Sequence, residues 1–157
     1  MKSVILLCTV ALFTSCAPPP PDTAGMIAAA KELDGRFIAA FNAGDVDALI
    51  ACYHDTPELT SFDVGTLVAK GHAAVREGLT HAVAGMAGGT ITLHDTHYQP
   101  AGNYVVTWGL WDFTMTLPDG TPMTMSGRFT DMKTEMNGKW GYVHDHASVP
   151  MPPPEEE

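Results

Sequence analysis

The C-terminal half of the chain contains three long segments with the composition of β-strands. Residues 103–116, 123–135 and 139–149 are rich in Thr, Val, Trp, Tyr, Phe and Met, which strands favour. The sequence Pro-Asp-Gly-Thr at 118–121 and an Asn-Gly pair at 137–138 join them, and Asn-Gly is a strong signal for a two-residue hairpin. Because strands joined by tight hairpins pair side by side, these segments predict an antiparallel sheet with one face that needs a cover.

The N-terminal half of the folded region is predicted to be helical. Residues 23–43 carry apolar side chains at helical spacing. Gly44 ends this helix and Asp45 caps a second, short helix over 45–54, since glycine favours helix C-termini and aspartate favours N-termini. A third helix is predicted over 71–84. The predicted fold class is α+β, with three N-terminal helices packed on a strongly curved antiparallel sheet.

Two more β-like stretches complete the predicted domain. Residues 59–69 form a short one that is broken at Gly65, and residues 90–98 form a longer one. The folded domain is expected to span 23–149, and residues 150–157 form a tail of Pro and Glu that is not expected to fold.

Composition excludes several classes of protein. The 157 residues are 45% hydrophobic, which suits one domain with its own core. A formal net charge of −10 leaves no basic surface for phosphates, so no nucleic-acid partner is expected. Three cysteines cannot all pair with one another, which excludes a disulfide framework.

The first residues have the pattern of a targeting signal. Lys2 precedes an apolar run over 4–13, which is too short to cross the ~30 Å apolar core of a bilayer. The following Thr-Ser-Cys sequence, which ends at Cys16, resembles the lipobox of bacterial lipoproteins. The resemblance implies a lipoprotein signal peptide over 1–15, lipidation at Cys16 and a Pro-rich spacer over 16–22. We therefore expect a lipid-anchored protein of the bacterial cell envelope, at the periplasmic face of the outer membrane. The alternative is a secreted or periplasmic protein.

Five stretches, in order along the chain, resemble the SnoaL-like and ketosteroid-isomerase-like families of the nuclear-transport-factor-two-like superfamily. These stretches are 36–53, 62–64, 70–76, 127–131 and 137–150. The resemblance covers nearly all of 23–150 and implies a cystatin-like cone with a central pocket between sheet and helices. It also implies a homodimer that forms through the sheet. The superfamily contains isomerases, cyclases, hydratases and non-enzymatic binders, so the fold does not fix the function.

Asp63 is the first candidate catalytic residue. The resemblance places it near the carboxylate with which ketosteroid isomerases move a proton beside a carbonyl group, and burial in an apolar pocket would make it a stronger base. The isomerases also use two hydrogen-bond donors, at positions that correspond here to Phe37 and to Gly127 or Arg128. Since the phenol and the acid that serve as donors in the isomerases are both missing at these positions, ketosteroid isomerase activity itself is not expected. The structural alternative for Asp63 is a turn residue before Gly65.

Arg128 and the segment His144-Asp145-His146-Ala147-Ser148 supply further candidates. Arg128 lies within a strand of apolar and hydroxyl residues, where an arginine pairs with a carboxylate or an anionic ligand unless it faces outward. At strand spacing His144, His146 and Ser148 share one face. We assign His146 and Arg128 to catalysis with Asp63, and His144 and Ser148 to ligand binding.

The same histidines admit three other interpretations. Two histidines at i and i+2 could bind one metal ion with help from His94 or His97, but no spacing in the sequence requires it, and no metal or cofactor is expected. The segment also resembles the C-terminal strand of iota-class carbonic anhydrases, which implies metal-free hydration of carbon dioxide. A third interpretation is ordinary hydrogen bonding within the sheet.

Aromatic residues complete the predicted pocket. Trp108 and Trp111 lie on opposite faces of one strand, so only one of them can line it. We assign Trp111 and Tyr53 to ligand binding. The sequence thus predicts a domain that binds a small, partly apolar molecule, with acid/base chemistry of an isomerase or lyase type. The alternatives are a non-enzymatic ligand-binding or dimerisation module and a metal-free carbonic anhydrase.

Overall fold

A computed structural model gives the fold and describes residues 22–151. Three helices precede a long β-meander. The elements are α1 (Thr23–Ala43), α2 (Val46–Ile50), β1 (Thr60–Asp63), β2 (Thr66–Lys70), α3 (Gly71–Gly85), β3 (Thr90–Ala101), β4 (Tyr104–Thr116), β5 (Pro122–Met136) and β6 (Lys139–Ser148). The signal peptide, Cys16 and most of the tail lie outside the described residues. No helix within residues 22–151 is long and apolar enough to cross a membrane.

The predicted caps at the end of α1 and the start of α2 are confirmed. Gly44 follows α1 with a left-handed φ of 70°, and the carboxylate of Asp45 accepts the backbone N–H of Ala48 at 2.9 Å. Helix α2 ends at Ile50, four residues before its predicted end, because the next residues pair with the sheet: Tyr53 forms a parallel bridge with Tyr142. The second helix is therefore a single short turn that brings Tyr53 to strand β6.

The six strands form one sheet in the order β2-β1-β6-β5-β4-β3. Every neighbouring pair is antiparallel except β1 and β6, which are parallel. The α+β fold class is confirmed, and the sheet is curved and mixed rather than wholly antiparallel. Strand β1 joins the sheet beside β6, the last strand of the meander, and runs in the same direction as β6.

A β-bulge in β6 decides which side chains face the helices. Lys133 of β5 pairs with Tyr142, whereas Met132 pairs with His144, so Val143 is an extra residue in β6. An extra residue reverses the alternation of side chains along a strand. As a result Tyr142 and Asp145, which are three residues apart, both line the inner face of the sheet.

The core lies between the helices and the inner face of the sheet. One cluster joins α1, α2 and α3 to β6, and its fully buried members include Leu33, Leu49, Leu59, Val75 and Tyr142. Each buried Leu or Val contributes about 1.5–3 kcal/mol to folding. A second cluster of aromatic and Met side chains around Trp111, Phe113 and Phe129 lies on β4 and β5. The candidate site lies between these two clusters.

Candidate ligand site

A cavity of about 330 Å³ lies between α1, α3 and the inner face of the sheet. Its volume is within the range of about 300–1,000 Å³ that small-molecule sites occupy. Its walls are mainly apolar and aromatic, and they include Phe37, Phe41, Leu79, Trp111, Met125 and Phe129. Such walls favour a ligand with an apolar body, because burial of apolar surface contributes about 25 cal/mol per Å².

Three side chains form a polar group within this cavity. They are Asp131 of β5, Asp145 of β6 and Tyr53, which follows α2. The Tyr53 hydroxyl donates to Asp145 Oδ2 at 2.5 Å. Asp131 is 5% exposed, and no donor within the described part of the chain bonds to its Oδ1 atom. An unpaired buried carboxyl oxygen is costly, so this atom is a natural position for a ligand group or a proton.

The Asp131 and Asp145 carboxyls interact with each other. Burial is the largest cause that raises the pKa of Asp131 well above its ordinary value, and the negative charge of Asp145 raises it further. The ammonium group of Lys133 opposes this rise, with its Nζ 3.7 Å from Asp131 Oδ2. Asp131 therefore keeps its proton to a higher pH than a solvated aspartate does. With that proton, the Asp131 carboxyl can both donate and accept a hydrogen bond.

A buried ion pair between α1 and β5 lies next to this carboxyl pair. Lys133 Nζ lies 2.5 Å from Asp34 Oδ1 of α1, and neither side chain is appreciably exposed. The hydroxyls of Tyr98 and Tyr142 also donate to Asp34, at 2.9 and 2.5 Å. Because these bonds join α1 to β3, β5 and β6, they fix the strands that carry Asp131 and Asp145.

Asp63 lines the same cavity at the turn between β1 and β2. Its Oδ1 atom accepts the backbone N–H of Val64 at 2.7 Å. Burial raises the pKa of Asp63 above its ordinary value, the bond from Val64 opposes the rise, and the charge of Asp145 adds to it. A half-buried carboxylate of raised pKa is a stronger base than a solvated one, which suits it to abstract a proton.

Trp111 and Tyr53 also line the cavity. The indole of Trp111 lies across Gly127 of the neighbouring strand, where a Cβ atom would collide with the ring. Its Nε1 donates to the carbonyl oxygen of Arg128 at 3.3 Å. Trp108, three residues earlier, is 38% exposed and stacks on His97 away from the cavity.

The other four predicted site residues lie on the outer face of the sheet. Arg128 is exposed, and its Nε donates to Ser148 Oγ at 3.2 Å. Phe62 packs edge-on against the rings of His144 and His146, with centroids 5.3 and 6.1 Å apart. A second, more open cavity is lined by Asp63, His146 and Ser148, and Arg128 is not among the residues that line it.

The alternation of side chains along a strand explains why these residues lie on the outer face. Asp145 and Ala147 line the cavity, so His144, His146 and Ser148 face the opposite side. Arg128 alternates in the same way with Phe129. The residues that line the cavity in the cone therefore do not include Arg128, His144, His146 or Ser148. Their catalytic and ligand-binding roles stay predictions, and so does the carbonic anhydrase interpretation, for which His146 and Ser148 lie at the second cavity.

Metal binding finds no support among the described residues. Within residues 22–151 no three His, Cys, Asp or Glu side chains are grouped so that they could hold a metal ion. His94 instead contacts two carboxylates, Asp95 at 3.4 Å and Asp112 at 3.2 Å. Both lie on or near the outer face, away from the cavity.

Comparison with protein families matches residues 35–142 to the SnoaL-like domain. The match covers more than half of the 157 residues. The chain belongs to the SnoaL-like domain family. No protein with a curated description matches the chain, so the family is known from its sequence model and the fold from solved structures.

Solved structures share the fold of this SnoaL-like domain at low sequence identity. A candidate dehydratase of the NTF2-like family from Streptomyces avermitilis has a TM-score of 0.74 and 16% identity, over 83% of this chain and 99% of its own. An NTF2-like superfamily protein from Salmonella enterica serovar Typhimurium has a TM-score of 0.71 and 21% identity, over 83% and 94%. A protein with a cystatin-like fold from Caulobacter vibrioides has a TM-score of 0.68 and 17% identity, over 82% and 92%. These similarities show the fold alone.

Asp131 and Asp145 are the residues of the SnoaL-like domain that sequence reasoning missed as site residues. Asp131 is two residues from Phe129 and four from Gly127, so strand spacing puts it on one face with them. The sequence spacing therefore indicates that Asp131 lies on the same face as Phe129. For Asp145 the sequence shows only that it faces away from His144 and His146, and the choice between the two faces depends on the bulge at Val143.

Proposed function

We propose that this SnoaL-like domain binds a small, largely apolar molecule in its cavity and moves a proton on it. The observation that carries the proposal is an apolar cavity lined by two interacting carboxyls, Asp131 and Asp145, of which Asp131 is buried and has a raised pKa. A second carboxylate of raised pKa, Asp63, lines the same cavity. Groups that accept and donate protons in one apolar site are the elements of general acid/base catalysis.

The proposed roles follow from the position of each carboxyl. Asp63 accepts a proton from the substrate, because its carboxylate is half-buried and is not neutralised by a cation at hydrogen-bond distance within the described residues. Asp131 donates a proton or a hydrogen bond to the substrate's polar group. Isomerase and dehydratase reactions both need such a pair of groups, and the Streptomyces structural neighbour is described as a candidate dehydratase.

Proton exchange at a carbon atom is the experiment that tests this chemistry. A panel of small apolar ketones is incubated with the protein in deuterium oxide, and NMR measures deuterium uptake beside the carbonyl group. We expect the protein to accelerate exchange for at least one member, and Asp63→Asn to reduce the acceleration by about 10²–10⁴-fold. Asp95→Asn, at an exposed carboxylate, is the matched control and keeps full activity. Exchange that is absent, or that is unchanged in Asp63→Asn, contradicts the proposed proton transfer.

Non-enzymatic ligand binding is the second candidate function. Phe37 lines the cavity and has no hydroxyl to stabilise negative charge on a substrate oxygen. Ligand binding without proton exchange by any panel member would favour this alternative.

We also propose that Cys16 carries the lipid that anchors the domain in the cell envelope. The lipobox-like sequence before Cys16 and the spacer over 16–22 support the proposal. Membrane fractionation of cells that produce the full chain is the test. We expect the protein in the detergent-soluble membrane fraction, and we expect Cys16→Ser to release it or to leave it as an unprocessed precursor. A Cys16→Ser chain that still reaches the membrane at its mature size would contradict lipidation.

A homodimer through the outer face of the sheet is the proposed assembly. Exposed apolar side chains on this face support it, namely Phe62 at 41%, Trp108 at 38% and Leu110 at 41% exposure. Light scattering of the purified protein should give twice the chain mass of 16.7 kDa, and Leu110→Lys should give a folded monomer. A monomeric unmodified protein contradicts the proposal.

A further inference from the structure

The hydrogen-bond donors around the polar group of the cavity are already used within the protein. The hydroxyl of Tyr53 donates to Asp145, and that of Tyr142 donates to Asp34. The indole N–H of Trp111 donates to a backbone carbonyl oxygen. A hydroxyl or an indole nitrogen has only one proton to donate, so these three groups cannot also serve a ligand that needs a donor.

Positive charge is equally unavailable to a ligand. Lys133 has no exposed surface, and its ammonium group contacts Asp34 at 2.5 Å and Thr107 at 2.9 Å. Among the described residues that line the cavity there is no Lys or Arg, and the basic residue there is His81, whose side chain is 78% exposed. A carboxylate or phosphate in the cavity would be repelled by the carboxylates of Asp145 and Asp63 without a compensating cation.

Hydrogen-bond acceptors, by contrast, remain available to a ligand. Asp131 is more than nine-tenths buried, lines the cavity, and has an Oδ1 atom that no donor within residues 22–151 reaches. Asp145 receives one hydrogen bond from Tyr53, and a carboxylate can accept about four. Asp131 Oδ1 therefore lacks a donor and Asp145 can accept more hydrogen bonds, so a ligand that brings N–H groups would supply both.

Three aromatic rings lie beside these acceptors. Phe37, Tyr53 and Tyr142 pack against one another with centroid distances of 5.1–6.2 Å, and all three line the cavity. The face of an aromatic ring attracts a cation within about 6 Å. The ammonium group of Lys133 already lies 5.0 Å from the centroid of the Tyr142 ring. The aromatic cluster can therefore stabilise a positive charge.

We propose that the ligand of this cavity carries a protonated amine on a mainly apolar body. The ammonium group donates hydrogen bonds to Asp131 Oδ1 and to Asp145, and the body packs against Phe41, Leu79 and Met125. The charges are complementary, because carboxyl side chains line the cavity and the described residues that line it include no Lys or Arg. This inference rests on the proposed function, in that the cavity must bind a small molecule, and it adds the chemical class of that molecule.

Three probes with one carbon skeleton test the inference. They are cyclohexylmethylamine, cyclohexylmethanol and cyclohexanecarboxylate, which present a cation, a neutral hydroxyl and an anion. Calorimetric titration of the full chain at neutral pH measures each affinity. We expect the amine to bind at least about tenfold more tightly than the alcohol, since hydrogen bonds between charged groups are about twice as strong as neutral ones. The carboxylate should not bind measurably.

Variants assign the selectivity to the carboxyl pair. Asp131→Asn and Asp145→Asn should each weaken amine binding by at least about tenfold and leave alcohol binding within about twofold. Asp95→Asn is the control and changes neither. Circular dichroism of each variant checks folding, and the comparison of probes on the unmodified chain does not depend on the variants.

The outcomes separate this inference from the proposed function. If the alcohol or the carboxylate binds as tightly as the amine, the amine inference is overturned while small-molecule binding in the cavity stands. If none of the three probes binds at millimolar concentration, both proposals are contradicted. Amine selectivity that persists in both Asp131→Asn and Asp145→Asn would also overturn the inference, because another site would then bind the amine.

Discussion

Asp131 is the residue whose ionisation most affects both the site and the stability of the molecule. Its pKa is raised mainly by burial, so the folded protein holds a proton there at pH values where the unfolded chain has lost it. That difference begins near the ordinary aspartate pKa of 3.8. The contribution of Asp131 to the free energy of unfolding therefore falls as pH rises above that value, until the folded pKa is reached.

Replacement of Asp131 by Asn removes this pH dependence. We expect the free energy of unfolding of Asp131→Asn, relative to the unmodified protein, to rise between about pH 5 and pH 8. Urea denaturation at several pH values measures this rise. A difference that does not change with pH would mean that Asp131 titrates normally, and Asp95→Asn should show that flat behaviour.

The Lys133–Asp34 ion pair is the second feature to be tested at the residue scale. Both partners are buried, so removal of one leaves an unpaired buried charge. Lys133→Met is expected to lower the free energy of unfolding by about 3–5 kcal/mol. The double variant Asp34→Asn with Lys133→Met should lose less than the sum of the single variants. Denaturation of all four proteins measures this coupling, and simple additivity would contradict a buried ion pair.

Among single residues, the sequence identified Asp63 through a family resemblance, but not the carboxyl pair. The side-chain chemistry of Arg128 and His146 indicates functional residues in strands, yet both side chains face outward. Residue type alone does not say which face of a sheet is covered. That information comes from the packing of helices far away in the sequence.

At the scale of elements, the bulge at Val143 and the glycine at position 127 set the shape of the site. The bulge turns Asp145 inward beside Tyr142, and Gly127 leaves room for the indole of Trp111. The bulge and the glycine are local departures from regular strand structure, and they allow a carboxyl pair and an aromatic side chain to line the same cavity.

Gly127→Ala is expected to displace Trp111. A Cβ atom at this position would collide with the indole ring, and such overpacking costs about 1–3 kcal/mol. We expect a lower free energy of unfolding and a changed Trp fluorescence spectrum. Gly78→Ala in α3 is the control, because no atom lies within 4 Å of the added Cβ and alanine favours the helix by about 0.5–1 kcal/mol. Equal effects of the two substitutions would contradict the packing described for Trp111.

Most elements could be predicted because their signals are local. The Asn137-Gly138 turn has positive φ at both residues, 54° and 76°, as its sequence predicts. The helix caps at Gly44 and Asp45 are similarly local. The parallel pairing of β1 with β6 joins residues more than 80 positions apart, and the bulge in β6 has no sequence signature. Both depend on the assembled sheet, so the sequence could not show them.

At the scale of the whole molecule, the sheet separates two chemical environments. Its inner face carries the cavity with Asp63, Asp131 and Asp145. Its outer face carries His144, His146 and exposed apolar side chains. The proposed function uses the inner face, and the proposed dimer uses the outer face. Ligand binding and assembly can therefore be disrupted separately, by substitutions on opposite sides of the same strands.

A ligand bound at the inner face, beside the carboxyl pair, should shift the backbone amide signals of the residues around it. These shifts are mapped in ¹⁵N NMR spectra as cyclohexylmethylamine or cyclohexylmethanol is added. We expect saturable shifts at Asp131, Asp145 and their inner-face neighbours Phe129 and Ala147, and none at the exposed control Asp95. Saturable shifts confined to the outer-face residues, or no shifts with either probe, would contradict binding at the inner face.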